Sequence, residues 1–434
     1  MWDILILTAG SKNQKQIFEK QLKHLNLNEY CKQAIVIEDE PDDCRIGSGG
    51  STIIVLRKLR EIYEQNELNT KKILLCHSGG LSQRMPHLSS FGKVFATLPN
   101  GKTLLENKLQ IYRDKLVDKL PFGLMITASD VLENMENNGM KKGEYGDFII
   151  FAHNSSISVA TQHGVFVMNE DNTLRCVLQK PTIEEIQENK GIQRDGTVLT
   201  DSCFYMSWTL CEKLYNSELL RGAISQELCC YGDFMRPLGT KPMLDYIDKS
   251  EKQLAEYRRE LYNIFNGSKI QLVSLGPQSF FHLGTYSELL EHIQPNSEFR
   301  QRFPSIFDET NDRRITYLTS NDTSFVEYSK ISDISSIGNQ CIVSGVEAVD
   351  VIIPDGVTIF TLALKNGYTS IVFKTGEDIK MGRNEMTWCK STIKTNGLSL
   401  WNLPIYQVVA SRSESLVETL NEWENGFNLK TVHK

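Results

Sequence analysis

Between Ile73 and Pro86 the chain reads Ile-Leu-Leu-Cys-His-Ser-Gly-Gly-Leu-Ser-Gln-Arg-Met-Pro, and Gly92-Lys93 follows shortly. An apolar run delivers two adjacent glycines, then one arginine and one lysine. Paired glycines let the backbone turn without a side-chain clash and let its N–H groups approach phosphate oxygens closely. Arg84 can fork onto a terminal phosphate, while Lys93 supplies a compact positive charge. Together with Ser78, Gly79, Gly80 and Ser82 they form a candidate triphosphate site. The spacing is not that of a Walker loop, where lysine directly follows the last glycine. A second candidate comes earlier, in Gly47-Ser48-Gly49-Gly50-Ser51-Thr52. Glycines and hydroxyls at a helix start make an anion site, because free N–H groups and the helix dipole both favour negative charge. Spacing alone leaves open which loop holds the triphosphate.

Asp130 closes an apolar strand, Gly123 to Thr127, by way of Ala128-Ser129. Ligands of open α/β sheets gather at the carboxyl ends of strands, so Asp130 stands where a Mg²⁺ ligand is wanted. The alternative is an N-cap for a helix at Val131-Leu132-Glu133. Lys180, in Gln179-Lys180-Pro181, can neutralise a sugar phosphate.

The elements that must position these residues alternate. Asp3 to Ala9 reads as a strand, Ser11 caps a helix carrying Phe18 and Leu22, and Ala34 to Ile37 is a second strand. Strand, helix, strand begins a parallel α/β sheet. Asp147–His153, Gly164–Met168, Thr173–Leu178 and Leu199–Met206 add strands, and Ser225 to Leu261 reads as mostly helical with interruptions at Gly232, Pro237, Gly239 and Pro242. Thr103 with Glu106, Thr182 with Glu185 and Thr285 with Glu288 have the spacing of capping boxes. From Asn296 to Asn321 the chain turns polar, with Arg300, Arg302, Arg313 and Arg314, which places a domain boundary near 310. Beyond it Ile331, Ile337, Val343 and Val349 recur every six residues, and Ile353 with Ile359 resume the interval. That period predicts a parallel β-helix over the region 311–434, closed by a helix at Ser413–Glu424.

A chain of 434 residues with 40% apolar and 23% charged residues has ordinary globular composition. Its net charge of −7, without a basic block, argues against nucleic acid or an anionic membrane as partner. Ten cysteines without CxxC spacing point to buried thiols in a reducing compartment rather than a disulfide framework or zinc site. No apolar run reaches the length of a membrane span, and Met1-Trp2-Asp3-Ile4 has no leader character, so a cytoplasmic protein is expected.

Taken in order, Asp3 to Ala9, the Gly47–Thr52 loop, His77 to Arg84 with Gly92-Lys93, and Thr127 to Leu132 resemble the GDP-fucose pyrophosphorylase family of the sugar nucleotidyltransferase-like superfamily. The resemblance implies an α/β, Rossmann-like nucleotidyltransferase domain with a mixed, mainly parallel sheet over residues 1–310, followed by a left-handed parallel β-helix over 311–434. It implies transfer of a guanylyl group from GTP to L-fucose 1-phosphate with release of pyrophosphate and with Mg²⁺ as cofactor. Gly79, Gly80 and Arg84 would hold nucleotide phosphates, Lys93 would neutralise developing charge, and Asp130 would bind the metal. Gln179, Lys180, Asp201 and Gly284 would face the sugar. Two departures matter: Gln179 replaces a glutamate, and His282 stands where the superfamily carries a second metal-binding aspartate, leaving His282 or Asp201 for that role. Ser82 also replaces a glycine. The β-helix is a candidate surface for homo-oligomers. It has no histidine between His292 and His433, which argues against histidine-dependent acyl transfer, and no sugar-kinase loop follows Asn321. The rival readings are another nucleotide and hexose phosphate pair, or a non-catalytic regulatory subunit.

Overall fold

The structure is a computed structural model that describes residues 1–41, 44–136, 138–140, 143, 145–308, 316–319, 323–377, 385–388, 391–394 and 407–425. Arg313, Arg314 and Cys389 lie outside the described residues. The chain divides into two compact units, Met1–Gly80 with Leu105–Phe281 and Leu81–Leu104 with His282–Lys434. That division differs from a single boundary near 310. The chain leaves the first unit just after the glycine pair, returns at Leu105, and leaves finally before His282.

The first unit is built on one mixed sheet. Its strands are β1 (Trp2–Ala9), β2 (Cys31–Glu38), β3 (Lys72–His77), β4 (Gly123–Ala128), β5 (Val131–Glu133), β6 (Phe148–Ser155), β7 (Gly164–Met168), β8 (Leu174–Gln179), β9 (Val198–Ser207) and β10 (Ile270–Pro277). The sheet order is β10-β6-β9-β4-β3-β1-β2, with β7 and β8 branching from β9 and β5 outside it. β2, β1, β3 and β4 run parallel, β9 runs antiparallel to both β4 and β6, and β10 is parallel to β6. Strands covered on both faces need apolar side chains on both, and Ile73, Leu74, Leu75 and Cys76 of β3 are each 0% exposed. Helices α1 (Lys12–Leu22), α2 (Gly47–Ile62) and α3 (Leu104–Lys115) follow their expected starts. Ser11 caps α1 by accepting from the Gln14 N–H. The Thr182–Glu185 capping box also forms.

One alternative reading and one expectation fail locally. Val131–Glu133 is a strand, so Asp130 caps no helix and instead sits in the turn between β4 and β5. Ser225 to Leu261 is helical only over Asp245–Asp248 and from Lys252 onward, in the helix Lys252–Phe265. The cause is a backbone partner elsewhere: Leu228 donates to Ile46 O and accepts from Gly49 N, so its peptide groups are spent on the start of α2 rather than on a helix of their own.

In the second unit Phe325–Glu327, Ile342–Ser344 and the start of Val357–Leu364 stack in parallel, as do Lys330–Ile331 on Glu347–Ala348 and Ser336–Ile337 on Ile352–Ile353. Val343, Ile353 and Ile359 point inward as the six-residue period requires, each at most 1% exposed. Val349 does not, at 55% exposed, because Ala348 takes the inward place opposite Ile331. The stack ends in a hairpin, Val357–Leu364 against Gly367–Lys374. The helix Arg412–Asn425 packs on that hairpin through Ser415 and Thr419, which both bond to Ser370.

Candidate functional site

Parallel strands that end together place their following loops along one edge, and five of the candidate positions, Ser78, Gly79, Gly80, Asp130 and Asp201, arrive there in the first unit. Thr8 on β1, Asp39 after β2, Ser78 to Gly80 after β3, Asp130 after β4, and Asp201 near the start of antiparallel β9 share this edge. The start of α2 joins them through Thr52, whose hydroxyl lies 3.1 Å from His77 Nε2. Thr52 donates to Ser48 O at 2.9 Å, so His77 presents its Nε2 proton to the threonine oxygen. Burial pushes the His77 pKa down to about 4, which keeps that ring neutral.

The two glycine loops are built differently. In α2 the hydroxyls already have protein partners: Ser51 donates to Asp39 Oδ1, and Ser48 Oγ accepts from Cys230 N at 3.0 Å. Its glycines are required by packing, since a Cβ on Gly47 would stand 2.3 Å from Leu228 O and one on Gly50 2.7 Å from Ile46 Cβ. Burial raises the Asp39 carboxyl to about 6, offset only partly by Ser51. Around β3 the picture reverses. Ser78 N and Gly79 N both donate to Thr8 Oγ1, at 3.0 and 3.3 Å, so those two amides turn inward rather than toward a ligand. Gly79 and Gly80 nonetheless present an exposed backbone. Gly80 has a φ of +118° and nothing within 4 Å of its Cβ position, and its carbonyl is held by Gln14 Nε2 at 3.1 Å. Thr8 and Gln14 shape this loop and were not singled out by sequence; a hydroxyl and an amide beside a strand-to-helix turn were the available signal.

Beside β9 lies a polar cluster with unmet hydrogen-bonding capacity. Asp201 Oδ1 accepts from Gly164 N at 3.0 Å, and His163 Nδ1 stands 3.4 Å away. A Cβ on Gly164 would meet both Asp201 Oδ2 and Gln179 Oε1, at 3.0 and 3.2 Å, so the structure brings Gln179 and Asp201 together. The bulge between the β6 partners of Cys203 and Asp201 makes Ser202 the extra residue. Gln179 Oε1, Ser202 Oγ and Tyr231 OH are all buried without a hydrogen-bond partner. Buried polar atoms are normally satisfied, so each of these three has hydrogen-bonding capacity left over. Lys180 follows, exposed, with φ +47° and its N–H on His163 O. A neighbouring histidine, His153, stacks flat on Phe280 at 4.3 Å, and burial takes its pKa down to about 3.

Arg84, Lys93, His282 and Gly284 belong to the second unit. Arg84 is exposed, and its charge helps to lower the Glu288 carboxyl. Burial raises that carboxyl, but the bond and charge of His282 and the Thr285 hydroxyl outweigh it. His282 Nδ1 is bonded to Glu288 Oε1 at 2.8 Å, which occupies the nitrogen. Ser82 has φ +44°, the left-handed region in which glycine is unstrained. Among the described residues no group of three or more His, Cys, Asp or Glu side chains could hold a metal ion. None of their helices is long and apolar enough to cross a membrane.

Comparison with known proteins gives a consistent kinship. The fucose pyrophosphorylase domain matches residues 65–413. The chain is 29% identical to the fucose-1-phosphate guanylyltransferase of Mus musculus, over 96% of this chain and 86% of that protein. It is 28% identical to the Homo sapiens protein of the same name, over 96% and 83%. An L-fucokinase/L-fucose-1-P guanylyltransferase from Bacteroides fragilis is 25% identical, over 74% of this chain and 35% of that one.

Proposed function

We infer the activity from kinship and geometry together: the chain belongs to the fucose pyrophosphorylase family, whose domain spans Arg84, Lys93, Asp130 and Gln179 to Asp201. The reaction is guanylyl transfer. A phosphate oxygen of L-fucose 1-phosphate bonds to the α-phosphorus of GTP, the bond from that phosphorus to the β-phosphate oxygen breaks, and GDP-L-fucose and pyrophosphate result. The observation that carries this reading is the family match running through every one of these residues.

A sugar 1-phosphate has a second pKa near ~6, so at neutral pH its oxygen is already a nucleophile and no general base is needed. The protein's part is therefore positioning and charge neutralisation. Arg84 forks onto a phosphate and Lys93 meets the charge that grows on the leaving pyrophosphate. Gly79 and Gly80 let phosphate oxygens close on the exposed backbone. Gln179 Oε1, Ser202 Oγ and Tyr231 OH take hydroxyl groups of the sugar, with Asp201 beside them, and Lys180 faces its phosphate. The turn at Asp130 suits Mg²⁺, a hard cation that is held by one or two carboxylates together with substrate phosphates rather than by a closed cage. Asp130 would hold it, with Asp201 on the same edge as the second carboxylate. When bound, Mg²⁺ offsets charge on the reacting phosphates.

The three stacked ladders of the second unit support its reading as a left-handed β-helix. Nine described cysteines, all unpaired, support a reducing, cytoplasmic location. The test is pyrophosphate release with Mg²⁺, crossing four ribonucleoside triphosphates against fucose, mannose, glucose and N-acetylglucosamine 1-phosphates. Release confined chiefly to GTP with fucose 1-phosphate is expected. Preference for another pair would reassign the substrates, and silence from folded protein would favour a binding subunit.

A further inference from the structure

Beneath the turn that carries Asp130 lies a charged pair that no substrate reaches. The Lys108 side chain, on α3, is 0% exposed and that of Glu133, on β5, 1% exposed. Lys108 Nζ donates to Glu133 Oε2 at 2.9 Å and to Thr127 Oγ1 at 2.8 Å. Thr127 in turn donates to Glu133 Oε1 at 3.2 Å, and Tyr112 OH donates to Thr127 at 3.1 Å. The ammonium also lies 5.3 Å from the centre of the Tyr112 ring.

The arrangement has a specific geometry. Thr127 lies near the end of β4 and Glu133 ends β5, and Asp130 sits midway between them in sequence. One ammonium thus bonds to both limbs of the turn, on either side of its carboxylate. Stability is a weak reason for such a pair, since an apolar replacement of similar volume is often neutral or better. A turn that must hold one carboxylate still is a stronger reason, because side chains behind a metal ligand set its orientation.

We propose that Lys108 and Glu133, acting through Thr127, are positioning residues for Asp130. This rests on the reading of Asp130 as the carboxylate that meets the metal–nucleotide complex. The test uses the full chain carrying Lys108→Met with Glu133→Leu, which removes both charges together and keeps the core apolar. Two readouts are taken: thermal melting without ligand, and GTP affinity by calorimetry with and without Mg²⁺. The double variant is expected to bind metal-free GTP as the wild type does. Its gain in affinity on adding Mg²⁺ should fall by about tenfold or more, the scale on which groups behind metal ligands act. If the double variant does not fold, Thr127→Val, which keeps the size and removes one arm of the network, should shift the Mg²⁺ response in the same direction. A folded variant with a wild-type Mg²⁺ response would overturn the inference. Asp130→Asn, measured in parallel, separates the two levels. If it abolishes the Mg²⁺ response while the double variant does not alter it, only the positioning role fails. If it leaves the response unchanged, the reading of Asp130 fails and the positioning role with it.

Discussion

Each unit contains a buried pair of a basic and an acidic side chain next to a segment proposed to meet phosphate or metal, and the two pairs differ in chemistry. In the first unit Lys108 bonds to Thr127 and Glu133, which stand three residues to either side of Asp130. In the second, His87 Nε2 lies 3.3 Å from Glu327 Oε1, with side chains 10% and 6% exposed. His87 Nδ1 is hydrogen-bonded to the Tyr286 hydroxyl, and Glu327 also accepts from Thr97 and Ser344. His87 and Thr97 belong to Leu81–Leu104, the stretch that carries Arg84 and Lys93, whereas Tyr286 and Glu327 come from the remainder of that unit. The second network therefore fastens the stretch bearing the two basic residues, as the first fastens the turn bearing the acidic one. The first pair joins a lysine to a carboxylate that also meets Thr127, the second a histidine to a carboxylate that also meets two further hydroxyls. The contrast teaches that the two anchors should respond differently to loss of a partner and to pH.

The largest effect should come from breaking the lysine pair on one side only. Lys108→Met leaves Glu133 buried without its counter-charge and should cost about 3–5 kcal/mol in urea denaturation. A loss near zero would mean that the Lys108–Glu133 pair contributes nothing to stability. Glu327→Gln should cost less, about 1–3 kcal/mol, because Gln can still accept from Thr97 or Ser344. It should also change the acid limb. Burial raises the Glu327 carboxyl, but His87 and the two hydroxyls outweigh it and hold it below its ordinary value. A depressed carboxyl stabilises the fold above its unfolded pKa, near ~4.3, and that contribution is lost as pH falls through the lower folded value. The variant should lack that part of the acid sensitivity. An unchanged stability profile below about pH 5 would show that the His87 pair contributes nothing.

Lys93→Ala is aimed at the charge that grows on the leaving pyrophosphate. It should lower turnover by at least about tenfold, or about 1.4 kcal/mol of barrier, with the fold intact. Wild-type turnover would remove Lys93 from the mechanism. Smallest of all, Ser82→Gly should relieve a left-handed residue and change stability by about 1 kcal/mol or less, in the favourable direction. A clear loss would show that the serine side chain has a partner worth more than the strain.

Much of the first unit was legible because its signals are local. Apolar runs closed by small residues gave the strands, and the carboxyl-end rule placed Asp130; Asp201 reaches the same edge because β9 runs antiparallel, which the sequence does not declare. In the α2 loop composition reports glycines and hydroxyls but not their protein partners: Ser51 answers Asp39, and Gly47 and Gly49 face Leu228. Lys108 was missed although the signal existed. It falls on the helix face shared by Leu104, Leu105, Leu109 and Tyr112, where a lysine cannot be solvated. The unit division was not readable, since nothing local distinguishes Leu81–Leu104 from its flanks; contacts distant in sequence do, such as those of Thr97 and His87 with Glu327 and of Leu98 and Pro99 with Thr316. In the stacked ladders the period identified Val343, Ile353 and Ile359, and failed at Val349, where the phase slips at a corner.

The most direct test of the proposed chemistry follows oxygen. The protein is supplied with GTP, Mg²⁺ and L-fucose 1-phosphate labelled with ¹⁸O on its phosphate, and both products are weighed by mass spectrometry. Attack by the sugar phosphate on the α-phosphorus requires all of the label in GDP-L-fucose and none in pyrophosphate. Label in pyrophosphate, or pyrophosphate formed without GDP-L-fucose, would contradict it.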